Sequence, residues 1–169
     1  MTQGAKWSIA GAFIGACFAL FSQAPATWLA NVISNTSQQR FVLQNAQGTV
    51  WRGSAIALLT DGSQAPVAKG TPLPTRVHWN FSSGFDSQLM RFVMRARISS
   101  ACCTSEPLQL TMSLGWQGMR IDLANQQSQW PAQWLVGLGA PWNTVQPEGS
   151  MQLRTENLNW QSKAGTPTV

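Results

Sequence analysis

Met90-Arg91-Phe92-Val93-Met94-Arg95-Ala96-Arg97-Ile98 is the stretch that decides how this chain folds. Met90, Phe92, Met94, Ala96 and Ile98 alternate with Arg91, Val93, Arg95 and Arg97. A period of two cannot make a helical stripe, so the stretch reads as a strand with an apolar face and a basic face. Downstream, Leu108, Leu110, Met112 and Leu114 alternate with Gln109, Thr111 and Ser113. Gly115-Trp116-Gln117-Gly118 then makes a tight turn into Met119, Ile121 and Leu123. The three runs form an antiparallel meander, and the pattern places Phe92 and Leu110 in the sheet core.

Working outward, Val77, Trp79 and Phe81 alternate with His78 and Asn80 as a half-buried strand, and Ser82 to Ser87 reads as a turn. Asp61 to Pro74, rich in Gly, Pro and Ser, is a loop. Thr49 to Leu59 is a long strand, and Phe41-Val42-Leu43 is a shorter one that leads to a turn near Asn45 to Gly48. Gly53, Ser54, Ala55 and Ala57 leave room for a sheet to bend, and Trp51 is read as core. Ala26 to Ser34, with Pro25 at its start, and Trp130 to Leu138 read as short helices. Met151 begins a final strand that runs to about Trp160, and Lys163 to Val169 should fray. The expected fold is mainly β: an N-terminal transmembrane helix, then a curved antiparallel sheet, half closed like an opened barrel, with two short helices.

The compartment is decided at the N-terminus. Lys6 precedes an uncharged run from Trp7 to Ile33, most apolar from Trp7 to Phe21. Fifteen helical residues reach roughly 22 Å, slightly short of a ~30 Å hydrocarbon core, and extension to about Ala26 would close the gap. Gly11 and Gly15 form a GxxxG pair that could pack a partner helix, although glycine is also ordinary in membrane helices. Ala24-Pro25-Ala26 fits a signal-peptide cleavage site as well, and Ile14-Gly15-Ala16-Cys17 loosely fits a lipoprotein box. Under all three readings the remainder is exported. The next basic residue after Lys6 is Arg40, so the N-terminus stays cytoplasmic. The expected organisation is a membrane anchor or signal segment over 1–26, a periplasmic β-rich domain over 27–162 and a disordered tail over 163–169.

Charged residues make up only 10% of the chain, apolar residues 44%, and the net charge is +5. There is no Lys/Arg-rich run and no aromatic nucleic-acid signature, so nucleic acid is not an expected partner. His78 is the only histidine and the six acids are scattered, so no triad, carboxylate dyad or phosphate loop can be assembled. The chain is not expected to be an enzyme or to hold a cofactor or metal. Cys102 and Cys103 are adjacent, without the CxxC spacing of a redox or zinc site. In an oxidising compartment they would form a vicinal disulfide or pair with another chain. Arg91, Arg95 and Arg97 share one side of a strand, roughly 7 Å apart. The stripe either faces solvent, is compensated by a distant acid such as Asp122, or docks an acidic partner.

Pro25-Ala26-Thr27-Trp28-Leu29 recurs as Pro131-Ala132-Gln133-Trp134-Leu135, and each copy precedes a glycine-entered strand, Gly48-Thr49-Val50-Trp51 and Gly149-Ser150-Met151-Gln152. Such an echo points to a duplicated unit whose second copy lacks its later strands. Taken in order with Arg52-Gly53-Ser54-Ala55, Pro74-Thr75-Arg76-Val77-His78-Trp79 and Pro147-Glu148-Gly149, these pieces resemble protein N of the bacterial type II secretion system over about residues 25 to 160. The resemblance implies a single-pass inner-membrane protein with its C-terminal β-domain in the periplasm. It implies an accessory role in exporting folded proteins, through contacts with the inner-membrane platform and the outer-membrane secretin. It carries over no catalytic residues, and it implies a form shortened at the C-terminus. The competing expectation is a periplasmic lipid-handling module, because an apolar groove can shelter acyl chains.

Overall fold

The computed structural model describes residues 3–62, 70–116, 118–156 and 158–163. Two helices, α1 (Gln3–Ser22) and α2 (Ala26–Thr36), precede the strands. A large antiparallel sheet then takes β1 (Phe41–Gly48), β2 (Arg52–Leu59), the two-residue β3 (Thr71–Pro72), β4 (Val77–Asp86), β5 (Arg91–Ser100), β6 (Leu108–Gly115) and β7 (Gly118–Leu123). The chain next leaves that sheet for a separate pair, β8 (Gln126–Pro131) with β9 (Ser150–Thr155). Between those two lie a 3₁₀ helix (Ala132–Leu138) and the short α3 (Trp142–Val145). β10 (Leu158–Lys163) returns to the large sheet, whose order is β1-β2-β4-β5-β6-β7-β10 with β3 beside β2. β1 and β10 stand at opposite edges, so the sheet is open.

The expected meander forms, β5 with β6 and β6 with β7, all antiparallel. Met94 stands between Ser83 and Met112, and Met112 opposite Ile121. Directly paired residues share a face. Apolar rows therefore run across the strands, such as Phe85, Phe92, Leu114 and Met119.

The core lies elsewhere. α2 presents Ala26, Ala30 and Ser34, four residues apart, as its buried face. That face packs on Leu43 and on Ala55 and Ala57, the two alanines letting the helix approach closely, beside the buried Leu73 and Trp79. Trp134 of the 3₁₀ helix stacks on Trp130 with ring centres 5.6 Å apart and meets the edge of Phe41 at 6.1 Å. Nothing among the described residues covers the apolar face beyond β5. Phe92, expected in the core, is 48% exposed, and Leu110 is half-buried. The meander is legible in the sequence as a sheet but not as an uncovered one, since alternation reports which face is apolar and not what lies against it.

Several boundaries differ from the sequence reading. β1 continues through Asn45 to Gly48, because Asn45 takes φ 51° at a register shift between Gln44 and Gln47. The turn falls instead at 49–51. Ser82, Ser83 and Gly84 are strand residues opposite Arg95, Met94 and Val93, and the turn comes at 87–90. Trp130 and Pro131 belong to β8, and the helical turn starts only at Ala132. The final strand is two strands that join different sheets. α1 stops at Ser22 and does not extend to Ala26: the Ala24 carbonyl accepts from the Val50 N–H at 2.8 Å, and Pro25 bridges Thr49. Among the described residues no helix is long and apolar enough to cross a membrane. Residues 164–169 of the expected tail lie outside the described residues.

Trp51 is a clasp and not a core residue. Its indole N–H donates to the Phe21 carbonyl at 3.0 Å, and its ring meets the Phe21 ring edge-on at 5.0 Å. The buried tryptophan is Trp79, lying over Gly53. A Cβ at Gly53 would stand 2.5 Å from the Trp79 ring and 2.6 Å from the Gln47 carbonyl. We expect Gly53→Ala to lower stability by about 1–3 kcal/mol through overpacking. Phe92→Ala should cost less than about 1.5 kcal/mol, because its ring is already half in solvent. Urea unfolding of both variants checks the pair, and a larger loss at Phe92 than at Gly53 would contradict this placement of the core.

Candidate interaction surface

Opposite the core, the face of the large sheet is apolar at Val42, Ile56 and Leu58 on the β1–β2 side and mainly polar over β4 to β7, and the arginines lie on it. Arg91 stands opposite Asp86 and is half-buried. Arg95 stands between Ser82 and Thr111, and Arg97 between Asn80 and Gln109. Both are exposed, and neither has an ion-pair partner among the described residues. Asp122 stands in the row of Arg95, two strands away across Thr111, but makes no ion pair with it: its carboxylate is engaged by Arg120 at 3.0 Å on its own strand. That exposed pair contributes under about 1 kcal/mol.

The register adds a residue that sequence reading missed. Asn80 pairs with Arg52 on its other side, so Arg52, Asn80, Arg97 and Gln109 form one row across four strands. At a strand spacing near ~4.8 Å, Arg52 and Arg97 stand roughly 10 Å apart, about one Debye length at moderate salt. Arg52, Arg95 and Arg97 thus form one exposed basic cluster, while Arg91 is half-buried with its stem beside Gly115. Arg52 sits 43 and 45 residues before Arg95 and Arg97 in the chain, so only the strand order could have revealed the grouping. His78 shares this face, exposed between Ser54 and Ser99. No three His, Cys, Asp or Glu side chains converge as metal ligands among the described residues.

Cys102 and Cys103 are bonded to each other in the β5–β6 loop. Cys103 is buried in the core, and its carbonyl accepts from the Gln129 N–H at 2.8 Å. The Cys102 N–H donates to Thr75 Oγ1 at 3.1 Å. The pair ties this loop to β8 and to the entry of β4. Its position is structural.

On the apolar face, Phe85, Phe92, Leu114, Leu158 and Trp160 are exposed together over β4 to β7 and β10. The molecule therefore offers two candidate surfaces on one sheet, a basic cluster on one face and an uncovered apolar area on the other.

No curated protein and no solved structure matches the chain. The family model described as type II secretion system (T2SS), protein N, matches residues 39–166. That stretch holds the whole large sheet, both candidate surfaces and the second helical turn, so the chain belongs to the type II secretion system protein N family.

Proposed function

We propose that the chain is an accessory inner-membrane component of type II secretion. In this reading α1 anchors it, the β-domain stands in the periplasm, and the basic cluster docks the platform or the secretin during export of folded proteins. Membership of the family supports the system. The observation that carries the docking role is the cluster of Arg52, Arg95 and Arg97 on an exposed sheet face without acidic partners among the described residues. Like charges so arranged gain nothing for folding, and they complement an acidic patch.

Anchoring is supported by α1 itself. Its side chains from residue 11 to 22 are exposed, among them Phe13, Ile14, Phe18, Leu20 and Phe21, so the domain gives them no cover. Gln3 and Lys6 leave an apolar run of roughly 22 Å, which a bilayer accommodates by local thinning. A second reading, a lipid-handling module, is favoured by the open apolar area around Phe92, Leu114 and Trp160.

Replacing Arg52, Arg95 and Arg97 together with glutamine removes the charge and keeps much of each stem. In-cell crosslinking of the tagged chain should then recover platform or secretin components at least about tenfold less well, and wild-type capture should weaken as salt rises. Undiminished capture by a triple variant with an unchanged circular dichroism spectrum would reduce the cluster to ordinary surface. Native mass spectrometry of the delipidated chain separates the second reading: reacquired phospholipid favours it, and an empty apolar face does not.

A further inference from the structure

The two ends of the large sheet differ in character. Phe85 pairs with Phe92, Phe92 with Leu114 and Leu114 with Met119, so the turn at 87–90 and the turn around Trp116 lie at the same end. β2 enters the sheet at Arg52 opposite Asn80 and runs antiparallel to β4, so the residues before Arg52 lie toward this end as well. There the Phe81 N–H donates to the Trp51 carbonyl, and Trp51 clasps Phe21 at the close of α1. α1 is therefore tied to the sheet level with Phe81, on the side of β4 that leads to both turns and roughly 16 Å short of them along the strand.

Turn residues at a solvated hairpin are ordinarily Gly, Asn, Asp or Ser. Here Leu89 and Met90 are 56% and 58% exposed, and Trp116 is 89% exposed. At the opposite end the loops carry Ser105, Glu106 and Asn125, and the exposed apolar side chain there is Leu158, at the start of the edge strand β10 and not at a turn. Exposed apolar tips gathered at one end cost hydration unless something apolar receives them. A tryptophan at a turn, with an apolar body and a polar N–H, suits the boundary between hydrocarbon and headgroups. Arg91 follows Met90, and Arg120, paired with Asp122, lies two residues past Gly118, so basic side chains stand just behind the tips, where headgroup phosphates favour them.

We infer that the tips Leu89-Met90 and Trp116 dip into the interface of the same phospholipid bilayer that receives α1. The sheet then stands on the membrane at three points, the α1 junction and two hairpins, and its strand axes and basic cluster are held at a fixed attitude. A hinge of one helix alone would let the domain swing. The inference rests on the anchoring role of α1.

The test uses the full chain, one copy per nanodisc of phosphatidylcholine and phosphatidylglycerol, in a Cys17→Ala background. Met90→Cys, Trp116→Cys and Ala124→Cys, the last at the opposite end, are reacted with a charged maleimide, and each rate is referred to the same variant in denaturant. The two tip cysteines should react at least about tenfold more slowly than the one at position 124. Equal rates, with the chain still floating with the discs at high pH, overturn the inference and leave the anchor standing. A chain that leaves the discs at high pH overturns both. Hydroxyl-radical footprinting of the unaltered chain tests the same contact without substitutions: Met90 and Trp116 are protected in discs, or the inference is wrong.

Discussion

The contact on which the rest of this structure depends is Trp79 over Gly53. The indole fills the space that a Cβ at position 53 would occupy, and its N–H reaches past the strand to the Val50 and Thr49 carbonyls at 3.0 and 3.3 Å. Three consequences follow from one ring. The turn at 49–51 is fixed although it has no regular pairing of its own. β2 is set in register on β4. Trp51, next in the chain, is aimed away from the core and toward Phe21. Gly48, at φ 88° opposite Gly53, completes the arrangement, since a Cβ there would strike the Arg52 carbonyl. The junction between the N-terminal helix and the sheet is thus set by a buried ring that touches neither end of α1.

The internal echo has a structural counterpart. Ala26 and Ala132 are both buried first residues of a helical turn, each behind an extended proline. Pro25 bridges Thr49, and Pro131 pairs with Ser150, each just after a glycine near φ 90°. The same local device has been used twice, once under β1 and β2 and once beside the small sheet. Both helical turns pack on the large sheet, the first across β1 and β2 and the second against the β2–β3 edge, where a Cβ at Gly137 would strike the Leu59 carbonyl; the strands differ, since β9 pairs only with β8. Trp134 is stacked on Trp130, and its indole nitrogen is buried without a hydrogen-bond partner among the described residues, so this side chain is held by ring contacts.

Period-two alternation makes β5, β6, β7 and the first half of β4 readable, because half-buried strands write their two faces into the sequence. Ser82-Ser83-Gly84 reads as a turn because small polar residues signal turns, and here pairing to β5 overrides the signal. Asn45 takes a positive φ inside a strand, which only the partner strand reveals. At the candidate surface, Arg95 and Arg97 are legible from one strand. Arg52 is not, because grouping it with them needs the order β2-β4-β5. Phe92 fails for a related reason: its face is legible, but the helices that could have covered it pack on β1 and β2.

The return of β10 bears on how the molecule assembles. β4 to β7 pair with immediate neighbours in the chain, and such local hairpins close quickly. β10 pairs with β7 only after the β8–β9 excursion, with Leu158 opposite Leu123, so its addition requires closing a loop of some thirty residues. It is then an edge strand with Leu158 and Trp160 still exposed, and little burial rewards the closure. Strand order and burial together set a gradient across one sheet: the β1–β2–β4 side, under α2, is slowest to open, and the β10 side is last to form and first to fray. The open apolar half is therefore the half whose backbone exchanges hydrogen most freely.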